Sequence, residues 1–337
     1  MNVVRLPALL SVTLVLAGLS FSSAVSAQEE GLLPTQTLLR ADTKDNAVPT
    51  ASTTTLELNS KTTPVTALRK IQAADTQVAL LIDDGLSRSF AVQLNDLRSF
   101  ATSLPPSTEL LVGYMTNGRV EVLVPFTTDH AAAAEKIRIP FSSPGQSASP
   151  YFCLSEFVKH WPSVSRTENS GVQPTLQGDT SPRSHKARFV MMITNGVDPY
   201  NGSTSINNQN SPYVLTAIAD AQRAMVVVSS IYFNDAGMGG GQSSFSGQSY
   251  LQQLAEGTGG RSYYQGTFNP VALKPFLAEF RQDISETYIA TFEANAAVGG
   301  RDHLVRLKVS TSVPKLKLRH SEAVRPGNVE ALLQDRN

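Results

Sequence analysis

The chain has 337 residues, of which 41% are hydrophobic and 17% charged, so it is long enough to bury a sizeable core. Its 28 basic and 28 acidic residues cancel, which argues against nucleic acid as a partner, because a nucleic-acid binder carries a basic excess that neutralises phosphates. The high hydrophobic content without net charge also excludes an intrinsically disordered chain.

Residues 1–27 have the pattern of a secretion signal. Arg5 provides a positive charge, residues 8–19 form an apolar run, and Val25-Ser26-Ala27 places small residues where a signal peptidase cuts. An uncleaved anchor is the alternative, but the run is shorter than the roughly 20 residues that a membrane-spanning helix needs. We expect an exported protein, periplasmic or extracellular, with no stable membrane span after signal cleavage.

The only cysteine is Cys153, so the chain cannot close an internal disulfide. It lies in the apolar stretch 151–154, where a buried and inert thiol is expected. Stability must therefore come from core burial.

Residues 28–75 are rich in Thr, Ser and Ala and predict a linker with one or two short strands. At residue 76 the pattern changes, because 78–82 is a continuous apolar run, typical of a strand buried on both faces of a parallel sheet. Apolar residues then recur at spacings of three and four from 90 to 104, which predicts a helix packed on that sheet.

The alternation of strands and helices continues along the chain. Asn117-Gly118 predicts a hairpin, and hence one antiparallel edge strand, and Ser149-Pro150 opens a helix. Residues 188–194 and 225–233 predict further central strands, and 261–264 a short one. The predicted fold is α/β, a doubly wound, mostly parallel sheet with one antiparallel edge strand.

The last segments alternate as antiparallel strands without helices between them, which predicts a small appended β layer. The predicted organisation is a signal peptide at 1–27, an N-terminal linker at 28–75, the α/β domain at 76–287, a C-terminal β segment at 288–326 and a tail at 327–337.

Ligands of an open α/β sheet bind beyond the carboxyl ends of its strands. Two polar turns follow core strands here, at 83–87 and 194–198. The long loops 196–212 and 234–247 also leave strand ends, so we expect them to converge over the same crevice, where long loops on a rigid sheet commonly form a binding surface.

The layout over residues 76–290 resembles the von Willebrand factor A (VWA) domain, most closely the VWFA-related proteins described from acidobacteria. The motifs that carry the resemblance are LIDDGLS at 81–87, MITNG at 192–196 and LAEGTGGRSYY at 254–264. The resemblance implies binding of proteins or other ligands through a divalent ion. That ion is held by an Asp-x-Ser-x-Ser loop, a threonine and a later aspartate.

This chain departs from the implied metal site. Asp83 and Ser87 match the loop, but Gly85 replaces its first serine, Ser149 is the candidate for the threonine position, and Asn195 replaces the later aspartate. Loss of a ligand and a charge disfavours a hard cation, so weak Mg²⁺, Mn²⁺ or Ca²⁺ binding is the most that the site offers, and no other cofactor is expected.

The same residues can also have purely structural roles, since serines cap helices and Asn-Gly is an ordinary turn pair. The resemblance implies a degraded metal site made of Asp83, Ser87 and Ser149. The candidate ligand-binding residues are Asp83, Asp84, Ser87, Ser149, Asn195, Asp198 and Tyr200.

Enzyme signatures are not apparent. There is no Gly-x-Ser-x-Gly elbow, the five histidines have no metal-ligand spacing, and the glycines at 237–241 fail the dinucleotide fingerprint. We expect a secreted, non-catalytic binding or adhesion-type module whose partner is a protein or cell-surface component. The alternatives are a secreted hydrolase with an unrecognised constellation and a structural component of a surface assembly.

Overall fold

The structure is a computed structural model, which describes residues 31–43, 45, 47–141, 149–162, 186–198, 211–234, 241–266, 268–295 and 303–329. The strands within these ranges are β1 Leu32–Asp42, β2 Thr54–Leu58, β3 Lys61–Lys70, β4 Thr76–Asp83, β5 Glu109–Thr116, β6 Arg119–Thr127, β7 Ala187–Thr194, β8 Val226–Tyr232, β9 Ser262–Tyr263, β10 Thr287–Asn295, β11 Val305–Thr311, β12 Lys317–His320 and β13 Ala323–Val324. The α-helices are α1 Leu94–Ser103, α2 His130–Lys136, α3 Pro150–Lys159, α4 Pro212–Arg223, α5 Gly241–Thr258 and α6 Lys274–Ser285.

Six of the described strands form a mixed sheet in the order β6-β5-β4-β7-β8-β9. Every residue of β4 and β7 is buried, which explains their continuous apolar sequences. β6 is antiparallel to β5 and joins it through Asn117 and Gly118, both at positive φ. The predicted hairpin is therefore confirmed, as are the predicted strands at β4, β7, β8 and β9.

The other seven described strands form an antiparallel sheet in the order β12-β1-β10-β3-β2-β11-β13. β1 pairs with β10 from Leu32 opposite Asn295 to Arg40 opposite Thr287. The fold-class prediction is wrong, because the largest sheet is antiparallel throughout and the terminal strands form it together with β2 and β3. The terminal segments are thus a principal layer of the fold and not a small appendage on a doubly wound sheet.

Helices cover both faces of the mixed sheet. On one face, α1, α2 and α6 bury a core that includes Phe100 and Phe280, whose ring centroids are 6.0 Å apart. On the other, α3, α4 and α5 bury a second core that includes Leu154 and Leu254. Leu38 of β1 belongs to the first core, so the antiparallel sheet packs directly on this unit.

A buried ionic cluster joins the two sheets. Arg40 Nη1 of β1 donates to Asp283 Oδ2 of α6 at 2.5 Å, and Arg261 Nε and Nη2 donate to the two oxygens of the same carboxylate at 3.2 Å. Tyr263 Oη of β9 donates to it as well, at 3.2 Å. Asp283 therefore connects β1, α6 and β9.

In the described part of the chain, no helix has the length and apolar character needed to cross a membrane.

His320, at the end of β12, makes the stability of the fold depend on pH. Burial lowers the pKa of its imidazole below the ordinary 6.5, although a hydrogen bond to the Ser321 carbonyl opposes the shift. Between the folded-state pKa and pH ~6.5, the unfolded chain binds a proton that the folded chain does not. The contribution of His320 to the free energy of unfolding is therefore complete above pH ~6.5 and is lost as pH falls through the folded-state pKa.

We expect His320→Gln to reduce the acid-side slope of the free energy of unfolding by at most about 1.4 kcal/mol per pH unit. Urea unfolding of both proteins between neutral and mildly acidic pH measures this slope. Equal slopes would contradict the assignment.

Candidate functional site

The two predicted polar turns lie side by side at the carboxyl edge of the mixed sheet. Ile82 of β4 is in register with Ile193 of β7, and Thr194 Oγ1 donates to Asp83 Oδ2 at 2.6 Å. Asp83 is 4% exposed, and its Oδ1 accepts from the Gly85 amide at 2.9 Å. Oδ2 of this carboxylate thus joins the two turns, while Oδ1 stabilises its own turn. Thr194 was not among the predicted site residues, although it directly precedes Asn195.

The Thr194 hydroxyl also accepts from the Gly196 amide at 3.2 Å. We expect Thr194→Val, which keeps the shape of the side chain, to lower the free energy of unfolding by about 1–3 kcal/mol, because it leaves buried polar groups without their partner. Urea unfolding measures the change. Thr216→Val is the control, since its hydroxyl is exposed and bonds only within α4, and its effect should stay within about 0.5 kcal/mol. Equal losses in both variants would contradict the role of Thr194.

Asp84 turns away from Asp83 towards a cationic side chain. Arg138 Nη1 donates to its Oδ1 at 2.6 Å, and the Asp84 side chain is buried. The Arg138 guanidinium lies 3.9 Å from the ring centroid of Tyr114 and 3.7 Å from that of Phe141, the geometry of cation–π contacts. Asp84 therefore anchors the segment after α2. No sequence motif indicates Arg138, which lies 54 residues further along the chain.

Asn195 and Gly196 form a tight turn that packs against α5. Asn195 Oδ1 accepts from the Val197 amide at 3.0 Å. This is the structural role in a turn that the Asn-Gly pair also allows. Gly196 has a φ of +66°, and its carbonyl accepts from Tyr151 Oη of α3 at 2.8 Å. Burial, followed by the nearby charge of Asp198, raises the pKa of Tyr151 well above its usual value, so this phenol stays a neutral donor.

Asp198 is fully buried beside α4. Its Oδ2 accepts at 2.7 Å from the hydroxyl of Ser211, which in turn caps the first turn of α4 by accepting from the Tyr213 and Val214 amides. The structure thus pairs Asp198 with the start of α4.

Ser87 and Ser149, two further predicted site residues, lie at the starts of helices. The Ser87 hydroxyl bonds to Ser89 at 2.6 Å, at the start of the 3-10 helix Arg88–Gln93. Ser149 is fully buried and caps α3, as its hydroxyl accepts from the Tyr151 amide at 3.4 Å. Tyr200 lies outside the described residues, as do 199–210 and 235–240 of the two long loops.

In the observed arrangement, the carboxylates among these residues accept hydrogen bonds from protein donors. Mg²⁺ and Ca²⁺ require about six oxygen ligands, whereas Asp83 bonds to Thr194 and Gly85, and Asp84 to Arg138. Among the described residues, no group of three or more His, Cys, Asp and Glu could hold a metal. The metal assignment of Asp83, Ser87 and Ser149 stays a prediction.

Cys153 of α3 is buried, as predicted. Burial raises the pKa of its thiol to about 12, and the negative charge of Asp83 acts in the same direction. The thiol is therefore protonated and poorly reactive at neutral pH.

An exposed group of apolar side chains lies on the segments that follow the carboxyl ends of β4 and β9. Val92, Tyr264, Phe268 and Val271, which we name the apolar rim, are 74%, 49%, 78% and 86% exposed. Gln93 Nε2 donates to the carbonyls of Pro270 and Val271 at 3.1 and 3.4 Å. This bond brings the two segments together. No pattern in the sequence indicates the apolar rim.

No protein-family model and no curated protein matches this chain. Its fold is similar to those of solved structures at low identity. Proximal thread matrix protein 1 from the mussel byssus is 14% identical, over 68% of this chain and 51% of that one, with a TM-score of 0.38. The pilus adhesin SpaC from Lactobacillus rhamnosus GG is 8% identical, over 85% and 47%, with a TM-score of 0.42. The SpRpn10 VWA domain is 8% identical, over 60% and 93%, with a TM-score of 0.34.

The chain spans about half the length of the first two of these proteins. A VWA domain is among the solved structures that it matches, and the resemblance to the acidobacterial VWFA-related proteins stays a prediction.

Proposed function

We propose that this protein is an exported, non-catalytic binding module that holds a protein or cell-surface component at the carboxyl edge of its mixed sheet. The apolar rim is the observation that supports the proposal. Single exposed apolar side chains are ordinary on protein surfaces, whereas a group of large ones on adjoining segments is typical of an interaction site.

The apolar rim lies at the carboxyl edge of the mixed sheet, where the sequence predicts a binding surface. Val92 lies in the 3-10 helix that follows β4 and the Asp83 turn, and Phe268 and Val271 lie between β9 and α6. β4 and β9 run in the same direction within the mixed sheet, so both segments leave it at its carboxyl edge. Ligands of α/β sheets commonly bind there.

The segment that carries Phe268 and Val271 is held in place by several hydrogen bonds. Asp96 Oδ2 of α1 accepts from the Leu273 and Lys274 amides at 2.8 and 2.9 Å. The side chain of Gln265 accepts from the Val271 amide at 3.4 Å. A surface fixed before binding loses less conformational entropy in the complex, which favours affinity.

The test is binding of the fluorescently labelled mature protein to the surface of cells of the source organism, measured by flow cytometry. We expect the double variant Phe268→Ser/Val271→Ser to bind at least about ten-fold more weakly, because truncating a central aromatic contact commonly costs 1–3 kcal/mol or more. Both side chains are exposed, so the melting temperature should stay unchanged.

Leu215→Ser is the matched control. Leu215 is 57% exposed on α4, which packs on the opposite face of the mixed sheet, so its replacement removes a similar apolar surface elsewhere. Equal binding by the double variant and the control would reject the apolar rim as the contact, and no binding by the unmodified protein would reject a cell-surface partner.

A further inference from the structure

Exposed apolar side chains at the carboxyl edge of the mixed sheet extend beyond the apolar rim. Phe141 and Ile139 are 72% and 42% exposed. The Phe141 amide donates to Asp84 Oδ1 at 3.3 Å, which places this segment beside the carboxyl end of β4. Phe268 of the apolar rim follows β9, which lies three strand spacings from β4. At about 4.8 Å per spacing, the exposed side chains are spread over roughly 14 Å of the edge.

These side chains stand out from the surface individually. Phe141, Phe268 and Val271 are between 72% and 86% exposed, and they lie on two segments that are far apart in sequence. A protein partner takes up such side chains in well-packed pockets near the centre of the interface. The boundary between lipid headgroups and acyl chains accepts bulky apolar groups without a preformed complementary shape. The spread of protruding side chains therefore favours a lipid surface.

Two exposed cations flank the apolar rim. Arg88 begins the 3-10 helix that carries Val92, and Lys274 begins α6, three residues after Val271. Neither lies within ion-pair distance of a carboxylate among the residues that the structure describes. Lys and Arg beside apolar residues can lay their stems along the apolar surface while their charges stay at the level of lipid phosphates.

Little exposed negative charge opposes these cations. The described segments at this edge are 84–93, 138–141, 195–198, 233–234 and 264–274 without 267. Asp84 and Asp198 are the only carboxylates in these segments, and both are buried. Asp96 of α1 lies nearby, but its Oδ2 accepts from the Leu273 and Lys274 amides, so its charge is directed at the N-terminus of α6. The exposed charge beside the apolar rim is therefore positive.

We infer, on the basis of the proposed function, that the carboxyl edge docks on an anionic lipid surface. The apolar rim and Phe141 enter the headgroup layer, and Arg88 and Lys274 contact the lipid phosphates. Tyr264 of the apolar rim is 49% exposed, and an aromatic ring with a polar tip suits the boundary between water and lipid. The cell-surface component that the protein binds is then the lipid itself.

The test is cosedimentation of the full mature chain with two kinds of vesicle, one of phosphatidylcholine alone and one with about one quarter phosphatidylglycerol. We expect the anionic vesicles to bind about ten-fold more tightly, because each cation near an anionic surface favours binding several-fold. High salt should remove most of this preference, since it screens exposed charges.

Two double variants separate the apolar from the ionic contribution. Phe268→Ser/Val271→Ser should bind the anionic vesicles at least about ten-fold more weakly, because it removes two apolar side chains from the inserted surface. Arg88→Gln/Lys274→Gln should lose most of the difference between the two vesicles. All four side chains are exposed, so the melting temperatures of both variants should match that of the unmodified protein.

Matched controls make the same changes elsewhere on the surface. Leu215→Ser removes an exposed apolar side chain from α4, and Lys308→Gln/Lys317→Gln removes two exposed charges from β11 and β12. Both controls should bind each kind of vesicle as the unmodified protein does.

Phe268→Trp gives a direct readout of insertion. We expect its fluorescence to be quenched by brominated lipid in anionic vesicles. The unmodified protein is the control, because Trp161 is the only tryptophan of the chain and is 2% exposed, so its fluorescence should not respond.

The outcomes separate this inference from the proposed function. Cell binding that depends on the apolar rim, together with no binding to either vesicle, would overturn the lipid surface, point to a protein partner and leave the proposed function intact. Equal vesicle binding by the rim variant and Leu215→Ser, equal binding to both vesicles, or an unquenched Phe268→Trp would also overturn the inference. Cell binding that is unaffected by the rim variant would reject the proposed contact itself.

Discussion

Asp283→Ala is expected to lower the free energy of unfolding by about 3–5 kcal/mol, since it leaves the Arg40 guanidinium buried without a counter-charge. The carboxylate accepts hydrogen bonds from Arg40, Arg261 and Tyr263, so one substitution removes contacts to β1 and β9 together. Chemical denaturation followed by circular dichroism measures the loss.

Glu279→Ala is the matched control on the same helix. Glu279 also pairs with Arg261, but its side chain is 41% exposed, so its loss should cost less than about 1 kcal/mol. The double variant Arg40→Met/Asp283→Leu should recover much of the stability, because it removes the buried charge along with its partner. A cost below 1 kcal/mol for Asp283→Ala would show that the pair is not buried as described.

Gly247→Ala is expected to destabilise the protein by about 1–3 kcal/mol, although the same change in a helix normally stabilises by up to about 1 kcal/mol. A Cβ at Gly247 would lie 2.1 Å from the Asn195 carbonyl oxygen, which is a backbone atom in a turn fixed by Thr194 and Tyr151. Either α5 or the turn must therefore move. Thermal and urea unfolding measure the stability, and amide chemical shifts of residues 194–198 report the displacement.

Gly257→Ala in the same helix separates the clash from helix propensity. The nearest atom to a Cβ there is a methyl carbon of the Ile218 side chain, at 2.7 Å, and a side chain can adjust where a carbonyl cannot. We expect its effect to stay within about 1 kcal/mol. If Gly247→Ala stabilises the protein as much as Gly257→Ala or more, α5 does not pack against the Asn195 turn in the way described.

The strands of the mixed sheet could be predicted from sequence because each is a short apolar run that ends in a polar turn. The same runs placed Asp83 and Asn195 at neighbouring strand ends, and the Asp83–Thr194 hydrogen bond confirms that these turns meet. Parallel strands leave one edge of a sheet together, so this part of the site follows from topology alone.

The antiparallel sheet could not be predicted in the same way. β1 and β3 contain Pro34 and Pro64 among alternating polar residues, a pattern that also suits a linker, because proline is uncommon inside strands. Their partners lie far away in sequence: Thr37 is opposite Ala290, and Leu68 is also opposite Ala290 across the other edge of β10. No local pattern specifies which distant strands pair.

The side chains that complete the candidate site were missed for related reasons. Arg138 reaches Asp84 from the segment after α2, a contact that depends on the tertiary fold. Phe268 and Val271 have the same residue types as core positions, and only the structure shows that they face solvent.

The pairing of β1 also sets a limit on when the protein can fold during synthesis. Its two neighbours, β10 and β12, begin at Thr287 and Lys317, so the ribosome must add more than two hundred residues after β1 before either neighbour exists. Contacts of such long sequence separation form slowly. β1 can therefore pair only after most of the chain has been made, and we expect the antiparallel sheet to be completed late in folding.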